Sequence, residues 1–441
     1  MTRSSRSRRT SRGACPGALR AFVALAAAAL LLPSPASANG RLARPGATPV
    51  GSFGGIEYVQ YDGIFEGQSS TGAYRVPYRI TAPKESKRGN RTVVVEPPHF
   101  ATGLGALDVG LGRGFLLARG FAHAGVGYST TTGGPGFDLR ILDPTVPGVF
   151  INGGFDDEGG RTDDEIIVDF GRALTSDPVA RSMLGRVDRR YVTGFSDSSE
   201  PVLRIVNSGQ ADGVFDLAFQ YTAFGEDPQP VLATHRYRGK LVIVNSEWVE
   251  EPSADLVDRG AAPRQYRFYA VAGSPHVPDF LVPSFSNMTT PASFQPELRA
   301  HFLQGDRWVR QDKAPPPSTH LLESTAGTLA RDANGNTISV DAGGRLVPRL
   351  PFVELGEARF STDFLGSYDQ VKTIQDLGFK SHAEYTKAFN AKLADYVDAL
   401  GILKEDADAM RKRAALCSPL TYTETYRDHY DEFVAIDSCD G

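Results

Sequence analysis

A single serine stands where an apolar, strand-like run gives way to a helix-like one, with small residues two positions before and after it. The sequence there is Gly-Phe-Ser-Asp-Ser over residues 194–198, and the serine is Ser196. A tight strand-to-helix turn is crowded, so it needs small neighbours, and it exposes the hydroxyl to a base that can take its proton. The pattern predicts a strained turn that presents Ser196 as a nucleophile.

Eight runs rich in Val, Ile, Phe and Tyr predict strands, and helical patterns lie between some of them. Several of these runs are continuously apolar, which is typical of strands buried on both faces of a parallel sheet. The predicted strands are Ile56–Gly67, Ala73–Thr81, Thr92–Glu96, Phe121–Thr130, Arg189–Gly194, Val214–Tyr221, Lys240–Asn245 and Arg267–Gly273. The predicted helices between them are Gly112–Arg119, Thr162–Leu184 and Ser199–Asn207.

Two further candidate reagents follow strand-like runs downstream of Ser196. Glu247 comes just after Lys240–Asn245, and His276 follows Arg267–Gly273 across a short Ser-Pro loop. The carboxyl ends of parallel strands meet at one edge of a sheet, and ligands bind at that edge. We therefore expect Ser196, Glu247 and His276 to lie close together as nucleophile, acid and base.

With these motifs in the chain order Ser, Glu, His, the sequence resembles the α/β-hydrolase superfamily. Within it, the chain is similar to the bacterial alpha/beta hydrolase domain-containing proteins over roughly residues 50–415. The closer similarity lies in residues 194–198, the Glu247-Trp248 pair and the segment Phe302–Pro317. The chain departs from the usual Gly-x-Ser-x-Gly pattern because Ser198 takes the last place, and because an acid, Asp197, follows the nucleophile.

The resemblance implies an α/β-hydrolase fold, with a mostly parallel eight-stranded sheet flanked by helices. It implies acyl transfer without a cofactor or a metal: Ser196 attacks a carbonyl, His276 carries the proton and Glu247 orients the imidazole. Three more carboxylates follow the seventh predicted strand and are alternatives for the acid: Glu250, Glu251 and Asp255. His276 is favoured among the eight histidines because it alone closely follows the last core strand.

An oxyanion hole needs two backbone N–H donors beside the nucleophile. One donor is expected from Asp197, directly after the serine. The loop after the third predicted strand supplies the other, and since its first residues are prolines, which lack an N–H, the donor is His99 or Phe100. These side chains and Trp248 are candidates for lining the substrate pocket, with ordinary packing as the alternative.

The first 38 residues read as an export signal. Six arginines precede or border the apolar run 21–32, and Ala-Ser-Ala at 36–38 suits a cleavage site. The apolar run is shorter than the roughly 20 residues that span a bilayer, so no membrane insertion is expected after cleavage. We therefore expect a secreted or periplasmic protein.

The remaining chain divides into an expected hydrolase core over residues 50–314 and an extension over residues 318–441 that packs on it. The extension contains the hairpin signal Asn-Gly at 334–335 and later helical patterns. Its cysteines, Cys417 and Cys439, are the two that remain after signal removal, and in an oxidising compartment we expect them to form a disulfide. No lid fits between the sixth and seventh predicted strands, so the site cover is expected from residues 131–160, from the extension, or from both.

The net negative charge of the chain argues against nucleic acid as a partner, and it does not distinguish among possible substrates. After loss of six signal arginines, 41 Lys and Arg face 52 Asp and Glu, a formal net charge of −11, so nucleic acid is not an expected partner. The predicted function is hydrolysis of a small-molecule or polymeric carboxylic ester. One alternative is that the substrate is an amide, a lactone or a polyester. Another is that the protein is a binding protein with an inactive hydrolase fold. The sequence does not predict the oligomeric state.

Overall fold

A computed structural model describes the chain over residues 39–43, 45–99, 107, 110–112, 114–128, 163–250, 254–276, 292–324, 328–361, 364 and 366–415. These residues belong to one compact unit. The predicted signal, segment 131–160, Phe100 and both C-terminal cysteines lie outside the described residues.

Ten strands of the described residues form one sheet. They are β1 (Arg41–Leu42), β2 (Gly46–Phe53), β3 (Ile56–Ser69), β4 (Gly72–Pro83), β5 (Thr92–Glu96), β6 (Ala122–Val126), β7 (Arg189–Phe195), β8 (Leu217–Tyr221), β9 (Lys240–Ser246) and β10 (Tyr266–Val271). Their order is β1-β3-β4-β6-β5-β7-β8-β9-β10, and β2 also pairs with β3. The pairs from β6 through β10 are parallel, whereas those among β1 to β4, and the pair of β4 with β6, are antiparallel.

The eight predicted strands correspond to β3 to β10, and the predicted fold class is confirmed. Two strands at the edge, β1 and β2, are additions to the predicted sheet. The sequence of β2, Gly-Ala-Thr-Pro-Val-Gly-Ser-Phe, is almost wholly exposed and its register with β3 shifts between Pro49 and Gly51. An edge strand without a buried face lacks the apolar run by which strands are predicted.

Nine α-helices surround the sheet within the described residues. They are α1 (Glu165–Ser176), α2 (Pro178–Leu184), α3 (Ser199–Asn207), α4 (Gln229–Ala233), α5 (Glu247–Glu250), α6 (Gln295–Gln311), α7 (Pro351–Leu355), α8 (His382–Leu400) and α9 (Lys404–Ala414). In this part of the chain, no helix is both long and apolar enough to cross a membrane.

Two of the three predicted helices differ from the structure. The segment predicted as one helix over 162–184 breaks at Asp177, whose carboxylate accepts the N–H groups of Val179 and Ala180 at 2.6 and 3.1 Å. Pro178 starts the second helix because it lacks the N–H that the first helix needs to continue. Of the helix predicted at 112–119, the described residues contain only a short 3₁₀ turn at Leu117–Arg119.

Alternate side chains of the central strands enter two separate cores, one on each face of the sheet. Val93 and Val95 of β5 pack with residues of α1 to α4, whereas Val94 packs on the opposite face with residues of α6 to α9. Burial on both faces explains why these strands are continuously apolar in sequence.

Within the described residues, the chain after the Pro-rich linker adds two small sheets: Leu321 of the first packs in the core with α1 to α4, and Phe360 of the second in the core with α6 to α9. Strands β11 (Thr319–Leu321) and β12 (Ser339–Asp341) pair, as do β13 (Arg359–Ser361) and β14 (Ser367–Asp369). The Asn-Gly turn at 334–335 closes a hairpin whose arms meet at Arg331 and Thr337. In this described part of the chain, the extension therefore combines hairpins with α7 to α9.

Candidate active site

The turn at Ser196 has the strained geometry that its sequence predicts. Strand β7 ends at Phe195, a 3₁₀ turn spans Ser196–Ser198, and α3 follows at once. Ser196 has a φ of 52°, a left-handed conformation that costs a residue with a side chain energy and is typical of functional turns. A Cβ at Gly194 would lie 2.4 Å from the backbone oxygen of Ser198, so this position accepts only glycine.

Ser198, the departure from the usual motif, stabilises the turn. Its buried hydroxyl accepts the N–H of Phe195 and donates to the carbonyl of the same residue, both at 2.9 Å. Ser199 donates to the carbonyl of Ser196 at 2.5 Å. The side chains of Ser198 and Ser199 therefore bond to the backbone of the turn. A glycine at 198 would lack the hydroxyl that bonds to Phe195.

His276 contacts the serine directly. Its Nε2 lies 2.7 Å from Ser196 Oγ, a hydrogen-bond distance. The sequence predicted an exposed hydroxyl, but Ser196 exposes only 5% of its surface and His276 only 4%. Within the described part of the chain, four aromatic rings surround the imidazole with centroid distances of 4.7 to 5.8 Å: Phe195, Phe224, Trp248 and Phe364.

The environment of His276 keeps the imidazole neutral. Burial, with a smaller contribution from the nearby charge of His99, lowers the pKa of His276 from 6.5 to about 3. A neutral ring that accepts the serine proton at Nε2 must carry its own proton on Nδ1. Among the described residues, the buried Nδ1 atom has no hydrogen-bond partner.

Glu247 is buried at the end of β9 and its carboxylate is fully engaged. Its Oε2 accepts the backbone N–H of Gly273 at 2.5 Å, and its Oε1 accepts the hydroxyl of Thr337 at 2.5 Å and Arg331 Nη2 at 3.1 Å. Burial raises the pKa of Glu247, and these three donors oppose that shift.

The hydrogen bond predicted between Glu247 and His276 is not made in this structure, and the acid role of Glu247 stays a prediction. Its donors occupy both carboxylate oxygens, while His276 Nδ1 lacks a partner. Of the alternative acids, Asp255 is exposed and has no contact with the imidazole. The side chain of Glu250, and the whole of Glu251, lie outside the described residues.

Of the residues predicted for the oxyanion hole, Asp197 and His99 lie at neighbouring strand ends, and Phe100 lies outside the described residues. Asp197 follows the serine, and its Oδ1 lies 2.8 Å from Nε2 of His99, the side chain from the loop after β5. The Asp197 carboxylate therefore contacts an imidazole at the place where an unpaired negative charge would oppose a developing oxyanion. Trp248 stands 4.7 Å from the His276 ring, centroid to centroid, and its place in a substrate pocket stays a prediction.

Three residues at the site have no local sequence signal. Thr337 and Arg331 reach Glu247 from the extension hairpin, and Phe364 stacks on His276 from the loop after β13. Each lies more than 80 residues from its partner in sequence. Such contacts come from tertiary folding, and no spacing rule identifies them. Among the described residues, no group of three or more His, Cys, Asp or Glu could hold a metal ion.

Comparisons with known proteins place this chain in a family. A family described as "Alpha/beta hydrolase domain" matches residues 59–412, whereas no curated protein matches the sequence. A cold-adapted esterase from an Arctic intertidal metagenomic library, in complex with PEG, is 16% identical and has a TM-score of 0.36; the match covers 61% of this chain and 99% of that chain.

Two further solved structures are similar at lower identity. An S-formylglutathione hydrolase from Agrobacterium tumefaciens is 12% identical, with a TM-score of 0.30 and coverage of 52% of this chain and 91% of that chain. The esterase domain of a Rhodothermus marinus protein is also 12% identical, with a TM-score of 0.31 and coverage of 48% and 86%. The family match spans most of the chain and includes Ser196, Glu247 and His276. The chain therefore belongs to the α/β-hydrolase domain family.

Proposed function

We propose that this protein is a serine hydrolase that cleaves carboxylic esters through an acyl-enzyme. The observation that carries the proposal is the 2.7 Å contact of Ser196 Oγ with His276 Nε2 at a strained strand-to-helix turn. A nucleophile activated by an adjacent base is the arrangement that acyl transfer requires. Membership of a hydrolase family agrees with that chemistry.

The reaction proceeds in two halves. Ser196 Oγ attacks the ester carbonyl while His276 Nε2 takes the hydroxyl proton, and the backbone N–H of Asp197, with that of His99 or Phe100, stabilises the oxyanion. The imidazolium then gives its proton to the leaving alcohol. Water attacks the acyl-enzyme while His276 takes one of its protons; the imidazolium then returns that proton to Ser196 Oγ as the acyl–oxygen bond breaks, and the carboxylic acid is released. None of these steps requires a cofactor.

The aromatic surroundings support an apolar or aromatic group next to the reacting carbonyl. Phe364 is 46% exposed while its ring stacks on His276, and it meets Trp248 edge to face at 5.3 Å. The exposed ring offers a substrate an aromatic surface beside the base. Small-molecule and polymeric esters are the proposed substrates, and lactones, polyesters and amides are alternatives to test in the same assay.

The test is ester turnover by the purified protein and by Ser196→Ala. We expect turnover of p-nitrophenyl esters by the wild type and a loss of about 10⁴- to 10⁶-fold in the variant, as for other serine nucleophiles. Ser182→Ala is the matched control, because Ser182 is exposed on α2 and donates only to the carbonyl of Val179. Turnover by Ser196→Ala equal to that of the control excludes the proposal.

One observation favours a second candidate, a binding protein with an inactive hydrolase fold. His276 Nδ1 has no acceptor in the described residues, and without one the imidazolium formed during catalysis is less stabilised. A binding protein of this kind leaves fluorophosphonate probes unreacted, whereas the proposed hydrolase reacts with them at Ser196.

We also propose that the protein is secreted or periplasmic, on the basis of the arginine-rich, apolar and small-residue segments within residues 1–38. Mass spectrometry of the protein from an exporting host should find a new N-terminus at Asn39. An uncleaved N-terminus on protein retained in the cytoplasm is the contrary outcome.

A further inference from the structure

The extension after the Pro-rich linker forms hydrogen bonds with Glu247, the predicted acid, whereas His276, the predicted base, forms none with it. Glu247 exposes 1% of its surface, and two of its three hydrogen bonds come from Thr337 and Arg331 on the extension hairpin. Arg331 also donates to the carbonyl of Gly335 at 3.0 Å, so the guanidinium bridges the hairpin turn and the buried carboxylate.

The third hydrogen bond of Glu247 leads to the histidine loop. Its Oε2 accepts the N–H of Gly273, which has a φ of +78° and begins the short loop that ends at His276. The extension also packs on this glycine, since a Cβ there would lie 3.2 Å from Cβ of Phe360 in β13. The start of the loop is therefore held by the carboxylate on one side and by the extension on another.

A buried carboxylate needs these donors to stay charged and in place. Burial raises the pKa of Glu247, whereas Thr337, Gly273 and Arg331 each lower it. Among the described residues, Arg331 is the only charged group paired with it. Removing the hydroxyl of Thr337 or the guanidinium of Arg331 leaves part of the carboxylate unsatisfied, so it is protonated at a higher pH or moves away from Gly273.

We propose that Thr337 and Arg331 are positioning residues of the active site: they hold Glu247 in the orientation that fixes Gly273, and through it the loop carrying His276 beside Ser196. On this account these two residues of the extension hairpin act on the base through Glu247, and the other extension residues have no such role. This inference rests on the proposed function, because it assigns His276 the role of base.

The experiment compares Thr337→Val and Arg331→Met with the full-length wild type in p-nitrophenyl ester hydrolysis across pH. Valine keeps the shape of threonine without the hydroxyl, and methionine keeps the apolar stem of arginine. Loss of a hydrogen bond to a charged group predicts a fall in kcat of about 10-fold with KM within about twofold. The pH below which kcat/KM falls should rise by about one unit, because the carboxylate loses a donor.

Two controls separate positioning from folding. Arg345→Met removes another extension arginine, which is 83% exposed and pairs only with Asp341 at 2.7 Å, and it should leave kcat and the pH profile unchanged. Thr337→Ser keeps the hydroxyl and should retain most of kcat. The inference is overturned if Thr337→Val and Arg331→Met match Arg345→Met, or if Thr337→Ser loses as much activity as Thr337→Val.

The same assay distinguishes this inference from the proposed function. If Ser196→Ala abolishes turnover while Thr337→Val and Arg331→Met keep wild-type kcat and pH profile, the hydrolase survives and the positioning role fails. If Ser196→Ala retains turnover, the proposed function itself fails, and the positioning role fails with it.

Discussion

Acid should destabilise this protein through one buried histidine, His276. Burial, and to a smaller extent the charge of His99, lowers the pKa of His276 in the folded protein from 6.5 to about 3. In the unfolded chain the same imidazole titrates near its ordinary value. As pH falls below 6.5, the unfolded state binds a proton that the folded state does not, so folded stability is lost.

The loss can be calculated from the two pKa values. At pH 5 the ring is protonated in nearly all unfolded molecules and in almost no folded ones. This difference lowers the free energy of unfolding by about 2 kcal/mol relative to its value above the unfolded pKa. This value is nearly the same for any folded pKa of His276 below about 4, because only the unfolded state then binds the proton at pH 5.

Urea unfolding of the wild type and of His276→Gln, each at about pH 7.5 and about pH 5, measures this contribution. Every other titrating group, including Glu247, is present in both proteins, so the difference between their pH dependences reports the imidazole alone. We expect His276→Gln to lose about 2 kcal/mol less than the wild type on acidification. Equal losses would refute the argument, since they require that the folded protein protonates His276 as readily as the unfolded chain.

Three further predictions concern the turn, the pocket and the C-terminus. Gly194→Ala should abolish ester turnover and lower the free energy of unfolding by about 1–3 kcal/mol, since the added methyl meets the backbone of the turn; wild-type turnover and stability in this variant would contradict the geometry. Phe364→Ala should raise KM for aromatic esters about 2- to 10-fold, whereas Val371→Ala, which removes a similarly exposed apolar side chain, should not; equal effects would remove Phe364 from the pocket. Cys417 and Cys439 should be disulfide-bonded, and thiol titration of the unfolded, unreduced protein should find no free thiol, with two free thiols as the result that rejects the bond.

The central fold could be predicted from the sequence because its signals are local. Three successive valines within Thr92–Glu96 fill both faces of the sheet, and the predicted strand has the bounds of β5. The helix predicted at Ser199–Asn207 is also observed as predicted, since it follows directly from the turn. The predicted helix over 162–184 was too long, although the Asp-Pro pair at its break was visible in the sequence.

The site was only partly predictable because some of its residues follow local sequence patterns, whereas others depend on contacts between residues far apart in the sequence. A serine turn and a histidine after the last core strand are local patterns, and the structure brings Ser196 and His276 into contact. Two of the three partners of Glu247 lie 84 and 90 residues away in the extension, where Arg331 and Thr337 look like ordinary hairpin residues. Only the folded arrangement of the extension on the sheet reveals what holds the carboxylate.

The central claim is that Ser196 is a nucleophile activated by His276, and covalent labelling tests it most directly. A fluorophosphonate reacts only with an activated hydroxyl, and digestion followed by mass spectrometry identifies the modified residue. The account predicts about one label per chain, on Ser196, with labelling lost in Ser196→Ala and strongly slowed in His276→Gln. A protein that hydrolyses esters with its label on another residue, or that leaves Ser196 unmodified, would contradict the account.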